Sequence, residues 1–137
     1  SRRWAWLRGA AALYLIITGL VYAFLLAPSP LSPAGPWTNI VVHRIVPIVM
    51  IRDWLLLAPR RPVPYRSALG WLGYPALFLC CTLARGHLTG FYPYDFLDPG
   101  RGGGYGRVAL FSLILLAGMA VLAVLLAAWT RRRARRP

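Results

Sequence analysis

Residues 37–57 read WTNIVVHRIVPIVMIRDWLLL, and this stretch decides how the chain folds. It is apolar and long enough to cross a bilayer, because about 20 residues rising about 1.5 Å each span the hydrocarbon core. Yet it carries residues that are unusual inside a membrane: His43, Arg44, Pro47, Arg52 and Asp53. Ionisable groups are costly in hydrocarbon and therefore mark functional candidates. We expect any chemistry of this chain to centre on this stretch.

The chain as a whole is apolar, with 58% hydrophobic residues among 137. These residues fall in long blocks, which is typical of membrane helices and not of a soluble core. The first block is too long for the usual apolar part of a signal peptide, although that reading stays open. The sequence predicts an all-α membrane protein, one integral membrane domain over residues 1–137, with four transmembrane helices at about 4–27, 37–57, 67–84 and 108–129.

The charge is strongly positive, at +13 from 16 basic and three acidic residues, and every basic residue is arginine. In a soluble protein this charge would suggest nucleic acid. Here the arginines cluster at the ends of apolar runs, so we predict no nucleic-acid partner and assign the charge to topology. The basic tail, residues 130–137, and the N-terminus are predicted to be cytoplasmic. We predict that the protein lies in the cell (plasma) membrane. The proline-rich loop of residues 28–36 and the loop of residues 85–107 then lie on the outer side of this membrane.

His43 is the leading candidate for chemistry, because imidazole transfers protons near neutral pH. Pro47 follows four residues later and frees the carbonyl of His43 from its helical hydrogen bond. Three roles stay open for His43: a hydrogen bond to a neighbouring helix, proton transfer in catalysis, and metal ligation. A metal ion would need more His, Cys or acidic partners than the sequence offers, so we predict no metal site and no cofactor.

The other charged residues of this stretch have a structural interpretation. Arg52 is expected to extend toward the cytoplasmic headgroups. Asp53 is expected to pair with a neighbouring helix, or with Arg60 or Arg61.

The third loop is dense in aromatic and polar residues, and two interpretations stay open. It is either an interfacial hairpin, since Tyr and Trp favour the membrane interface, or a lid over the outer end of the bundle. A lid would bring toward His43 the side chains of Arg85, His87, Tyr92, Tyr94, Asp95 and Asp98. Residues 100–106 are interpreted as a flexible link into the last helix. The adjacent Cys80 and Cys81 are interpreted as small buried hydrophobic residues.

Several motifs together resemble a bacterial family of six-helix integral membrane proteins. They are His43-x-x-x-Pro47, Asp53-Trp54, Tyr74-Pro75, Arg85-Gly86 and Gly90-Phe-Tyr-Pro-Tyr-Asp-Phe-Leu-Asp98. The resemblance covers nearly the whole chain, and the family is distantly similar to the androgen-induced-gene group of eukaryotic membrane proteins. It implies that this chain is the C-terminal part of a six-helix bundle, without the first two helices.

The eukaryotic group includes hydrolases of fatty-acid esters that use an intramembrane threonine and a histidine. The resemblance implies that His43 is this histidine, whereas Thr18 and Thr38 do not match the threonine motif. The leading hypothesis is an intramembrane lipid-ester hydrolase, in which His43 activates a threonine that this chain lacks. Arg44, Arg85, His87, Tyr92, Tyr94 and Asp95 are the substrate-binding candidates.

The alternative is a non-enzymatic scaffold or regulator that binds lipid or another membrane protein. Membrane lipids are the expected partners, together with a second copy of the chain or another membrane protein. Transport is a third hypothesis, but it needs a polar path that the uncharged last helix does not offer.

Overall fold

The computed structural model describes residues 2–26 and 36–135, which are helical throughout apart from short connections. Ser1, residues 27–35, which include most of the proline-rich loop, and the last two residues of the basic tail lie outside the described residues. The helices and helical turns in chain order are α1 (Arg2–Val21) with a π-helical turn (Tyr22–Leu26), α2 (Pro36–Ile40), a π-helical turn (Val41–Ile45), α3 (Val46–Leu57), α4 (Tyr65–Leu69), a 3₁₀ turn (Gly70–Leu72), α5 (Gly73–Thr89), two 3₁₀ turns (Asp95–Leu97, Pro99–Arg101) and α6 (Gly104–Ala134).

Three of the described helices are long and apolar enough to cross a membrane: Arg3–Leu26, Tyr65–Thr89 and Gly104–Ala134. The prediction of an all-α protein with membrane helices is confirmed to that extent. Residues 36–57 are also continuously helical, and we call them the second helix. Asp53 sets this helix apart, because the other three helices contain no acidic residue.

The second helix packs antiparallel against α1 along its length. Asp53 lies beside Arg8, Pro47 beside Gly19, and His43 beside Tyr22. The buried positions of α1 include Gly9, Ala12, Leu13, Ile16 and Gly19, which recur at helical spacing and form one face. Small residues on this face let the two backbones approach closely.

The hydrophobic core is concentrated at one end of the bundle. This end, which we call the basic end, holds the start of α1, residues 58–71 and the end of α6. Trp54 and Trp71 are its largest fully buried side chains. The indole nitrogen of Trp54 donates to the carbonyl of Leu126 at 3.2 Å. The backbone nitrogen of Val63 donates to the Thr130 hydroxyl at 3.0 Å, which ties the linker after the second helix to α6.

The third and fourth predicted helices are longer than the sequence suggested. α5 continues through Arg85 and His87 and ends at Thr89. Gly90 follows it in the left-handed conformation, with a φ of 71°, and caps the helix. α6 continues through the arginines at 131–133 because arginine is a good helix former and is favoured near a helix C-terminus. Polar residues alone did not end either helix.

The interpretation of the two cysteines as buried was wrong. Cys80 and Cys81 are both exposed on α5. The reason is that α5 buries only Thr82 and Gly86 within the described bundle, so most of its surface faces away from the other helices.

Gly9 provides a test of the basic-end packing. A Cβ at this position would lie 2.2 Å from the fully buried ring of Trp71, whereas a Cβ at Gly118 meets nothing within 4 Å. We expect Gly9→Ala to lower the free energy of unfolding by about 1–3 kcal/mol through overpacking. The matched control Gly118→Ala is expected to raise it by up to about 1 kcal/mol through helix propensity. Circular dichroism during denaturation of the chain in micelles measures both, and equal effects would contradict this packing.

Candidate functional site

His43 lies in the π-helical turn that precedes Pro47 on the second helix. Its ring stacks on Tyr22 with the ring centroids 4.3 Å apart and the planes 8° from parallel. Tyr22 itself begins the π-helical turn that ends the first helix. Single π-helical turns within helices are frequent at functional sites. Two such turns therefore meet at the residue that the sequence singles out.

The Nδ1 atom of the His43 imidazole is a buried polar atom without a hydrogen-bond partner among the described residues. A buried polar atom without a partner costs about 1–3 kcal/mol, so such an atom calls for an explanation. The atom is available to a group that the described residues do not supply.

The backbone around His43 is shaped by Gly19 and Pro47. A Cβ on Gly19 would lie 2.6 Å from the Pro47 ring and 3.3 Å from the carbonyl oxygen of His43. Pro47 has no N–H to bond this carbonyl within the helix. The carbonyl of His43, which the sequence predicts to be free of its i+4 hydrogen bond, lies beside the glycine of the neighbouring helix.

Neither threonine near His43 is placed as a nucleophile. The Thr18 hydroxyl donates to the carbonyl of Tyr14 within its own helix, at 2.7 Å. Thr38 is exposed. A nucleophile must be within hydrogen-bond reach of its base, and no described hydrogen bond joins His43 to a hydroxyl group.

The substrate-binding candidates of the third loop pack on α5, α6 and one another. The guanidinium of Arg85 lies 5.3 Å from the Phe91 ring centre. The Tyr92 ring covers Gly86, where a Cβ would approach it to 2.1 Å. Nδ1 of His87 lies 3.4 Å from the Tyr105 hydroxyl. These contacts gather part of the loop at the junction of α5 and α6.

The hydroxyl of Tyr92, in the third loop, has a raised pKa. Burial raises this pKa above the ordinary value of 10.0, and the neighbouring Tyr105 adds to this effect. The hydroxyl is therefore a neutral hydrogen-bonding group at physiological pH and not a base.

The remaining loop candidates also make local contacts. Tyr94 stacks on Phe96 with ring centroids 5.3 Å apart. A carboxylate oxygen of Asp95 lies 3.3 Å from Arg101, and one of Asp98 lies 3.7 Å from the same guanidinium. The described contacts of these candidates join the loop to itself, α5 and α6, whereas His43 stacks on the first helix. Arg44, the candidate beside His43, is exposed.

A second group of polar residues lies at the basic end. Arg8 forms an ion pair with Asp53 at 2.6 Å and donates to the carbonyl of Leu57 at 2.8 Å. Arg133 of α6 donates to the carbonyls of Leu55 and Leu56. Arginines from two helices thus bond the carbonyls at the end of α3, which have no partner within their own helix.

Sequence reasoning missed Arg8 and Arg133 as partners of the second helix. It expected Asp53 to pair with a neighbouring helix or the adjacent linker, and the structure shows the neighbouring helix. The available signal was the set of carbonyls in the last turn, residues 55–57, because a helix C-terminus attracts cations. Which arginine reaches them depends on how the helices are placed.

Among the described residues, no three His, Cys, Asp or Glu side chains lie together in a group that could hold a metal ion. No protein-family model, curated protein or solved structure matches this chain, so its own residues carry the interpretation.

Proposed function

We propose that this chain is a multi-pass protein of the plasma membrane that crosses the bilayer four times. Three helices can cross by length and composition. The second helix runs antiparallel to α1 from Tyr22 and His43 at one end to Arg8 and Asp53 at the other. Since the linker after it returns to the start of α1, a crossing by α1 requires a return crossing by the second helix.

The charge distribution supports the orientation. The basic end carries both the linker arginines and the tail arginines, and excess arginine marks the cytoplasmic side. The third loop, with two of the three acids, lies at the opposite end of α6. We therefore place both ends of the described chain in the cytoplasm.

The Arg8–Asp53 ion pair lowers the cost of the charged second helix. A lone Asp or Arg at the centre of a membrane helix costs about 2.5–3.5 kcal/mol on insertion scales. Pairing the two charges, with Arg8 also bonded to the Leu57 carbonyl, supplies partners to both groups near the membrane surface.

Cysteine labelling tests this topology. In a background with Cys80→Ala and Cys81→Ala, single cysteines replace Arg60 in the linker or Asp98 in the third loop. A membrane-impermeant maleimide added to intact cells is expected to label Asp98→Cys and to leave Arg60→Cys unlabelled until the membrane is opened. Labelling of both positions in intact cells would contradict four crossings.

For the biochemical role, we propose a non-enzymatic membrane scaffold or regulator that binds lipid or another membrane protein. The observation that carries this proposal is that polar side chains of the bundle make structural contacts. Those that join one helix or its linker to another are Arg8, Asp53, Thr130 and Arg133. Wide apolar faces stay uncovered, as shown by Leu77 at 63% and Leu113 at 65% exposed. These faces suit lipid, a second copy of the chain, or the two further helices of a six-helix parent.

An intramembrane lipid-ester hydrolase is the second candidate. The unpartnered Nδ1 of His43, held in place by the Tyr22 stack, favours it. In this proposal a hydroxyl from outside the described residues approaches Nδ1, which takes its proton as the hydroxyl attacks the ester carbonyl. Arg44 follows His43 directly in the sequence and could bind the anionic headgroup of a lipid that reaches His43. The loop candidates would have to leave their contacts on α5 and α6 to reach the same lipid.

A lipid-like fluorophosphonate probe separates these candidates, because it reacts with activated hydroxyl nucleophiles. With the chain in native membranes, where the further helices of a six-helix parent are present, the scaffold proposal predicts no covalent labelling above that of heat-denatured membranes. It also predicts that His43→Ala keeps the amount of folded chain in the membrane within about twofold. Labelling that disappears in His43→Ala would establish a hydrolase, and Val42→Ala, at an exposed position of the same π-helical turn, is the matched control.

A further inference from the structure

A groove lies at the basic end, away from His43, between the first turns of α1 and the linker before α4. It has a volume of about 890 Å³, and its lining includes Arg3 and Leu7 on one side and Arg61 and Val63 on the other. Most of its lining is apolar, apart from the two arginines and Ser67. A groove with this composition suits an amphiphile, which has an apolar body and a charged head.

The walls of the groove are held by contacts on both sides. The indole nitrogen of Trp6 donates to the carbonyl of Ser67 at 2.8 Å, and its ring meets the edge of Trp71. Val63 is buried, and its backbone nitrogen is bonded to Thr130. Prolines at 62 and 64 restrict the backbone on either side of Val63. The two arginines are therefore carried by elements whose separation is fixed before a ligand binds.

The groove is positively charged, and its described lining contains no carboxylate. All three acids of the chain have basic partners elsewhere: Asp53 pairs with Arg8, and Asp95 and Asp98 pair with Arg101. Arg3 and Arg61 are both exposed. Guanidinium groups bind phosphate oxygens with paired hydrogen bonds, which gives arginine an advantage over lysine at such sites.

Tryptophans beside the groove indicate that it lies near a membrane surface. Trp4 and Trp6, on the same turn of α1 as Arg3, are 73% and 36% exposed, and tryptophan is enriched where headgroups meet acyl chains. In the proposed orientation this end faces the cytoplasmic leaflet, which is the anionic one.

We propose that this groove binds an anionic phospholipid of the cytoplasmic leaflet. The phosphate lies between Arg3 and Arg61, and an acyl chain follows the apolar lining past Leu7. The inference rests on the proposed function of a membrane protein with its basic end in the cytoplasm. It adds a defined site and ligand class to that function.

Native mass spectrometry of the full chain, released from micelles containing phosphatidylglycerol and phosphatidylcholine, tests the groove. We expect the wild-type chain to retain phosphatidylglycerol in preference to phosphatidylcholine. The double variant Arg3→Gln with Arg61→Gln is expected to lose this preference by about fivefold per arginine. Arg3→Lys with Arg61→Lys keeps the charge and is expected to retain part of it.

The matched control is Arg132→Gln with Arg135→Gln, which removes the same charge from exposed positions at the same end. We expect it to keep the lipid preference. An equal loss in both double variants would show diffuse attraction to the basic end and would overturn the groove. Displacement of the lipid by millimolar inorganic phosphate would overturn a lipid site in favour of a phosphate site.

Carbonate extraction of the same variants from vesicles keeps the two proposals apart. Chain that stays in the membrane without preferring phosphatidylglycerol would refute the groove alone. Chain that is extracted from the membrane would refute the proposed function as well. Elution as a single species in detergent confirms that each variant is folded.

Discussion

The antiparallel pairing of α1 with the second helix is the constraint on which the rest of this structure depends, and the Arg8–Asp53 ion pair lies at its basic end. Both helices carry charge into apolar surroundings, where a lone ionised group is costly. Once Arg8 meets Asp53, Gly19 is brought against Pro47, and Tyr22 is brought against His43. One register therefore pairs the partly buried charges of Arg8 and Asp53 and positions the candidate site.

The same register explains why the two ends of the bundle differ. At the basic end, Trp54 and Trp71 fill the space between helices, and Gly9 leaves room for the Trp71 ring. At the opposite end, aromatic stacking and π-helical turns replace a filled core, and the Nδ1 of His43 lacks a partner among the described residues. Most of the buried apolar packing is thus at the basic end, whereas the unpartnered polar atom of His43 is at the opposite end.

Much of the fold follows from the sequence, because long apolar blocks can only be helices in a membrane. The apolar blocks along the chain indicate the positions of the helices. Within residues 37–57, His43 and Asp53 stand out as polar residues in an apolar stretch. The partner of Asp53 was not, since Arg8 is 45 residues away and their meeting depends on helix register. The π-helical turns and the exposure of Cys80 and Cys81 also depend on which helix faces pack, which periodicity does not reveal in an all-apolar helix. The contacts of the third loop on α5 and α6 favour the hairpin interpretation over a lid. The sequence could not separate these two interpretations, because both rest on the same aromatic and polar residues.

A double-mutant cycle on Arg8 and Asp53, read as the fraction of chains whose linker is cytoplasmic, tests the central claim most directly. Arg8→Gln and Asp53→Asn each leave one charge without its partner, so we predict that each lowers this fraction. The double variant removes both charges and is predicted to recover most of the loss. The claim is that this ion pair stabilises the second helix across the membrane. It would be contradicted if the effects of the two single variants simply added in the double variant, or if both single variants matched the wild type.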